Sequence, residues 1–526
     1  MSEPFGVRRY VRNLNLILGD QLDRDSVLLE DFDTALDALW MAEVNGENTH
    51  VKHHQHQIVM FLAGMRHFAK EQRELGRPTL YTELPTDGRK DRGRELSDVL
   101  TADLRESKPQ RVRVVRPGDR RVLRTLREAC TECGYELEVV EDQHFFTTPQ
   151  DFAEHAEGRK TLRLEYFYRE LRQRFDLLID DAGEPVGGDW NYDQDNRERF
   201  GKSGPPDDLS PPRSFRPTDI VKNVQTLVKE RYSDHPGSVE NFCLPVTRWQ
   251  ALTLLDDFVD HRLTNFGDFQ DAMWQGEFFL YHSRLSSALN LKLLHPLEVC
   301  RRAEAAYHDG TAPLNAVEGF IRQVLGWREY IRGVYWHFDE DYRAKNFLGH
   351  EATLPHFFWT GKTDMKCLSE TLQAVHQHAY SHHIQRLMIT GLFCLLYGVE
   401  PQQFNDWHLA THCDAIDWVS TPNVVGMSQF ADGGLLASKP YCASGNYISK
   451  MGNYCSDCRY KPKEATGDKA CPFTTLYWDF LDRHKERLAN NHRMGFQYRN
   501  LKRKSALQMD EIREQAQRLR ASLSES

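Results

Sequence analysis

The hydrophobic rhythm of this chain changes once, across a segment that can be neither strand nor helix. Residues 183–217 are polar and rich in Gly, Pro and Asp. The stretch Gly204-Pro-Pro-Asp-Asp-Leu-Ser-Pro-Pro212 holds four prolines in nine residues, which removes donors and fixes φ too often for a regular element. Before it, short apolar runs at 14–18, 38–44, 79–84, 111–115 and 135–140 alternate with helical spacing at 57–70 and 122–130. Strands alternating with helices imply a parallel sheet, whose ligands sit at the carboxyl ends of the strands. Beyond Thr218 apolar residues recur every three or four positions, most clearly at 252–262, 313–336, 367–398 and 474–490. The expected organisation is an α/β domain over residues 1–145, an interdomain connection over 146–217 and a large all-α domain over 218–526.

The formal charge of −10 over 526 residues argues against a wholly basic nucleic-acid coat, but leaves room for a local basic groove. No run of about 18 apolar residues appears, so no membrane span is expected. Residues 1–12 lack the apolar core of a signal peptide. No G-x-G-x-x-G occurs in the first part, which disfavours an ordinary dinucleotide fold.

Eleven cysteines, an odd number and scattered, show no disulfide pattern and suit a reducing compartment. Three of them, Cys455, Cys458 and Cys471, follow the spacing C-x2-C-x12-C-P. A C-x2-C pair brings two thiolates to one metal, and a third thiolate can close over it. A fourth ligand must come from elsewhere, and both Cys442 and Cys367 are candidates. Structural zinc held by four thiolates fits this spacing; so does an iron–sulfur cluster, whose ligand runs often end in Cys-Pro. Cys130 and Cys133 form a second such pair without partners nearby and read as helix residues.

Several other segments carry possible chemistry. Tyr281-His-Ser-Arg-Leu-Ser286 sets two hydroxyls and an Arg at a helix start. That suits a pyrophosphate, although an ordinary cap is the commoner meaning. Gly326-Trp-Arg-Glu-Tyr330 reads most simply as a buried ion pair in an aromatic helix. His383, Arg386 and Leu387 share one helical face, where a His is either a satisfied core residue or a proton donor. Asp414, Asp417 and Asn423 follow in a loop containing Pro422.

Taken in order, these segments resemble the photolyase/cryptochrome superfamily, and more narrowly its bacterial iron–sulfur branch, the prokaryotic (6-4) photolyases. Leu16-Ile-Leu-Gly-Asp-Gln21 and Met41-Ala-Glu-Val44 match that branch's antenna domain. Gly187-Gly-Asp-Trp-Asn-Tyr192, with Asn196 and Arg197, matches its connection. Glu318-Gly-Phe-Ile-Arg-Gln-Val-Leu-Gly-Trp-Arg-Glu-Tyr330 and the stretch 447–480 are the most characteristic.

The resemblance implies a parallel α/β antenna domain followed by an all-helical domain that binds FAD. Ser283, Arg284, Leu285 and Ser286 would hold the phosphates. Gln323, Arg328, Arg386 and Asp417 would line the flavin and ribose, with Asn423 near the flavin N5. The resemblance also implies a 4Fe-4S cluster on Cys367, Cys455, Cys458 and Cys471, with Cys442 a bystander. The antenna would be 6,7-dimethyl-8-ribityllumazine near Asp20, Gln21 and Glu47. Ala42 and His50 stand where relatives often carry Cys and Tyr.

The activity implied is the light-driven reversal of (6-4) photoproducts in UV-damaged DNA. His383 would donate the proton, Tyr441 and Tyr447 would wall the lesion pocket, and Asp271 would touch the lesion. Trp407 and Trp359 match two stations of the family's electron chain. His408 stands where a Tyr is common, and Ser420 where relatives often have Glu. The rival reading is a cryptochrome-like blue-light photoreceptor that signals through a protein partner. A monomer in the bacterial cytoplasm is expected.

Overall fold

A computed structural model describes residues 11–86, 89–159 and 161–524. Residues 1–10, which carry most of the signal-peptide reading, lie outside the described residues. No described helix is long and apolar enough to cross a membrane.

The first part is a five-stranded parallel sheet. Its strands are β1 (Asn13–Leu16), β2 (Ala38–Ala42), β3 (Thr79–Thr82), β4 (Arg111–Val115) and β5 (Leu137–Val140), in the order β3-β2-β1-β4-β5. Alternation along each strand divides its side chains between two cores. Leu39, Met41 and Val115 pack on one face with Ile58, Leu62 and Met65 of the helix Gln55–Glu74. Leu14, Leu16, Trp40, Val112 and Val114 pack on the other with the helices Leu96–Ser107 and Arg120–Glu132. Both faces are covered, as a parallel sheet requires. The strand order reverses direction between β1 and β4, which opens a crevice at their carboxyl ends.

The expected connection is partly regular. Residues 149–175 form two helices, Pro149–Ala156 and Leu164–Phe175. Thr148 caps the first, with Pro149 in its first turn, a favoured pairing. Their fully buried Phe152 and Tyr168 pack into the helical part: Phe152 meets Tyr330 edge-on at 5.7 Å, and the Tyr168 hydroxyl donates to Glu318 at 2.9 Å. Residues 176–218 then run without helix or strand. They are pinned by buried Asn196, which donates to the Asn315 carbonyl at 3.0 Å, and by Phe200, stacked on Phe269 at 4.5 Å.

The rest is helical, with two departures from simple periodicity. The expected helix over 367–398 breaks at Ala379, whose φ of +50° is left-handed, so His383 begins a new short helix. Three segments are π-wound: Arg322–Trp327, Arg386–Gly391 and Asn423–Ser428. The latter two pack together where the Gln429 side chain donates to the Gly391 carbonyl at 3.1 Å. A Cβ on Gly391 would meet Ser428 Oγ at 2.2 Å. Glycine is what lets these two turns approach so closely.

Candidate functional site

The crevice at the strand ends is a cavity of about 1430 Å³, counting its open mouth. Residues following β1, β2 and β4 line it, with Arg343, Asp406 and Asp417 from the helical part. Asp20 is there, accepting from the Gly118 amide at 3.2 Å. Burial raises its pKa, only partly offset by Lys292. Glu47 pairs with Arg121 through two bonds of 2.8 Å. Burial would raise its carboxyl, but Arg121 holds it below the usual range. Gln21 does not line the cavity: its amide donates to the Val115 carbonyl at 2.9 Å and fastens the exit of β1 to β4. Asp119 is pushed up to about 6, by burial and then by Asp417. His50 and His53 also face this space, and burial drives His53 down to about 3.

A second constellation gathers around Asp414. Arg386 pairs with it at 3.0 and 3.1 Å and donates from Nε to the Ser381 carbonyl at 2.7 Å. Ser286 also bonds the Asp414 side chain, and Asn290 donates to its carbonyl at 2.7 Å. Asp414 therefore ties the 286–290 helix to Arg386. Asp417, three residues on, does not join them. Its carboxylate takes the Tyr335 hydroxyl at 2.6 Å and that of Thr421 at 2.7 Å. Arg284 is buried with φ +59°, its guanidinium 4.4 Å over Phe279. Its Nε and the hydroxyl of buried Ser287 have no partner. Ser283 Oγ accepts from the Leu285 amide at 3.3 Å, and Leu285 itself is core.

The π-wound turns carry three of the expected flavin residues. Gln323, Arg386 and Asn423 each lie in one of them, and such turns recur at functional sites. The amides of Gln323 and Asn423 donate one turn back, to Gly319 and Val419. Arg328 is placed differently. It lies 3.9 Å over Phe145, bonds His144 at 3.2 Å and pairs with Glu329 at 3.3 Å. Burial brings it down to about 10. This is the buried pair that the aromatic helix suggested.

Next to Ser283, His282 stacks on His382 at 4.6 Å and meets His383 edge-on at 5.4 Å. Burial drives His282 and His382 far below the usual imidazole range. Both ring nitrogens of His382 lack partners. His383 is exposed, with Nε2 3.4 Å from Asp271 Oδ1. Asp271 acts electrostatically on Tyr447, as does Arg197; Arg493 and Asp193 act on Tyr441. His383, Asp271 and Tyr447 thus lie together at an exposed mouth, while Tyr441 stands with Arg493 and Asp193.

Cys367, Cys455, Cys458 and Cys471 line one cavity with Met365, Tyr454 and Phe473, and Cys442 is not among its walls. Cys367 feels the other three thiols electrostatically, after burial, and both effects raise its pKa. Trp407 is fully buried, donating to the Phe358 carbonyl at 3.2 Å, with Phe358 edge-on at 5.1 Å. Trp359 packs half-buried at the margin of the same core.

Comparison with known proteins gives these places a family. The family described as deoxyribodipyrimidine photo-lyase-related protein matches residues 15–244. A (6-4) photolyase of Agrobacterium fabrum is 46% identical over 486 residues, 92% of this chain and 94% of that protein. Among solved structures, a bacterial class III photolyase from Agrobacterium tumefaciens shares the fold with a TM-score of 0.54 at 15% identity, covering 86% of this chain and 88% of that one. A cryptochrome of Synechocystis does so with a TM-score of 0.53 at 13% identity, covering 98% and 99%. With sequence identity carried across nearly the whole length and the fold shared, the chain belongs to the photolyase/cryptochrome superfamily.

Proposed function

We propose that this chain is a light-driven (6-4) photolyase, which reverses UV-induced (6-4) pyrimidine photoproducts in DNA. The observation that carries the reading is the 46% identity over 92% of the chain to a protein of that name. Family membership implies FAD, and the helical part suits it. Arg284 Nε and Ser287 Oγ are buried donors without partners, the type of group a pyrophosphate satisfies. The π-wound turns with Gln323, Arg386 and Asn423 supply polar groups for the ring, and Arg386 is held in place by Asp414. When bound and reduced, FAD supplies an electron on absorbing blue light.

The remaining work falls to the chain's own side chains. A lesion must leave the duplex to reach the pocket, and Tyr441 and Tyr447 offer it aromatic faces. The His383 imidazole supplies the proton for the heteroatom that moves within the lesion, and Asp271, beside its Nε2, orients the ring. General acids of this kind contribute roughly 10²–10⁴ in rate.

The four thiols are read as ligands of a 4Fe-4S cluster. They ring a cavity of about 320 Å³, counting its mouth. That ligand set of four thiols suits a cluster as it would suit zinc, and the family resemblance favours the cluster. The strand-end cavity is read as the site of a ribityl-bearing antenna. Asp20, Asp119 and the Glu47–Arg121 pair suit hydroxyls of a ribityl chain. By the same reading Asp417 forms part of the site's wall, Gln21 supports it from behind by fastening β1 to β4, and the antenna domain ends near residue 145. The test is blue-light illumination of the protein with a (6-4)-containing oligonucleotide, followed by product analysis. Recovery of intact pyrimidines is expected. Normal flavin photochemistry without repair would favour the photoreceptor reading.

A further inference from the structure

A hydrogen-bond relay runs along the wall of the strand-end cavity and fixes the state of one imidazole. It starts at a backbone carbonyl, which can only accept. The Gln57 amide nitrogen donates to the Ala415 carbonyl at 3.1 Å, so the amide oxygen is left as an acceptor. His53 Nδ1 lies 2.8 Å from that oxygen and must carry a hydrogen. Burial keeps His53 neutral at any working pH, so its Nε2 is a bare lone pair. His50 Nδ1 lies 3.4 Å from this lone pair and 3.1 Å from the Glu47 carbonyl. Both neighbours only accept, and the hydrogen of His50 therefore sits on Nδ1.

The consequence falls on the other nitrogen. His50 lines the cavity and is exposed there, and among the described residues its Nε2 has no hydrogen-bond partner. Desolvation in the cavity and then Arg121 lower its pKa, with a lesser push from Arg343, against the pull of Glu47. The ring is thus neutral above about pH 7, and its Nε2 is an acceptor and nothing else. The same cavity has little to offer an anion. Arg121 is paired with Glu47 and Arg343 with Asp406, while Asp20 and Asp119 face the same space. Val44, Phe61, Met65 and Ile416 supply apolar surface for a flat ring.

We infer that His50 selects the occupant of this cavity: its Nε2 accepts a hydrogen bond from a ring N–H of an uncharged, planar heterocycle that bears no phosphate. The inference rests on reading the cavity as an antenna site and adds to it which edge of the chromophore is recognised. At this position the family resemblance implies a Tyr. A phenol hydroxyl rotates and can donate or accept, whereas His50, locked by the relay through His53 and Gln57, only accepts. A ring edge carrying N–H satisfies it. A ring edge whose nitrogen is alkylated leaves the lone pair unmatched and loses affinity.

Equilibrium dialysis of the FAD-loaded protein tests it with two pairs of probes: 6,7-dimethyl-8-ribityllumazine and riboflavin, each beside its N3-methyl derivative. Methylation removes the one ring N–H of each. The wild type should prefer the N–H member roughly tenfold, the effect of one hydrogen bond whose acceptor is otherwise left unpaired. His50→Phe should bind both members of a pair alike, and His50→Gln, whose amide oxygen can accept, should keep part of the preference. The preference should hold above about pH 7 and fade in acid, because a protonated imidazole has no lone pair; a role in shape alone would not titrate. Unchanged melting and FAD content would show that the fold is intact. If the wild type binds both members equally, or His50→Phe keeps the full preference, the inference is overturned and the antenna reading stands. If riboflavin shows the preference and the lumazine does not bind, the lumazine reading fails and the role of His50 stands. If no probe binds, both fall.

Discussion

The imidazole Nδ1 of His408 lies 3.2 Å from the hydroxyl of Ser420. These are two positions at which the sequence departs from its family's usual Tyr and Glu, and they meet in the fold. The departures are therefore one change in a single buried contact. His408 also stacks on His412 at 4.3 Å, and His412 meets Trp407 edge-on at 5.5 Å. Burial drives His408 down to about 3, so it is neutral at any working pH.

A neutral imidazole is harder to oxidise than an indole or a phenol. Position 408 thus carries a poorer electron donor than the Tyr that the family resemblance implies there. His408→Tyr is expected to speed bleaching of the bound flavin under constant blue light with an external reductant. The larger ring in a packed site should cost about 1–3 kcal/mol of stability. An unchanged bleaching rate would mean that position 408 takes no part in electron delivery.

The four-thiol ring makes a stoichiometric prediction. Wild-type protein should contain about four irons per chain, as one cubane cluster requires. Alanine at Cys367, Cys455, Cys458 or Cys471 should remove the iron and loosen the last helices, since Cys471 begins the helix Pro472–Arg483. Cys442→Ala should keep its iron, because Cys442 stands outside the ring. Metal analysis after anaerobic purification decides, and zinc in place of iron would sink the assignment.

Asp119 predicts a pH dependence of stability. Its pKa rises from 3.8 to about 6 in the fold, through burial and then Asp417. Between these values the folded chain binds the proton more tightly than the unfolded chain. The protonated group's contribution is fully present below about pH 4 and is lost as pH rises through 6. At neutral pH the buried charge therefore opposes folding. Asp119→Asn can still cap the helix Arg120–Glu132, whose Arg121 amide bonds this side chain at 2.7 Å. The variant should melt higher than wild type at pH 8, with the gap closing towards pH 4. A gap independent of pH would show that another group titrates.

Much of this was legible in the sequence because it rests on period and spacing. The parallel sheet follows from alternating runs, and the convergence of the C-x2-C pair with Cys471 from its spacing. The choice of Cys367 over Cys442 rests on the family resemblance; in the fold Cys367 lines the cavity with the other three thiols and Cys442 does not. What escaped the sequence depends on geometry that periodicity does not encode. A π-wound turn inserts one residue into an otherwise ordinary apolar pattern, so the turns at 322, 386 and 423 read as plain helix. Asp414 and Asp417 are the same residue type three positions apart, and only the fold shows that the first meets Arg386 while the second faces the strand-end cavity. The helix Leu96–Ser107 has Leu96, Val99, Leu100 and Leu104 at helical spacing, so its sequence does carry the signal. Arg328 looked like a flavin contact by resemblance, yet its nearest partners are His144, Phe145 and Glu329.

His383 gives the test that separates repair from light sensing. Its Nε2 is exposed at the mouth and 3.4 Å from Asp271, so His383→Ala removes a proton source without opening the core. The variant should bind FAD, bleach under blue light and bind lesion-bearing DNA as the wild type does, while repair falls by roughly 10²–10⁴. Asp271→Asn should cost less, since it leaves the imidazole in place and weakens only its orientation. The measurement is product formation per flash on a (6-4) oligonucleotide, with DNA affinity read in parallel. A wild-type rate in His383→Ala would move the proton's origin elsewhere. His382 would then be the next residue to test, because both its ring nitrogens are buried without partners beside the same mouth.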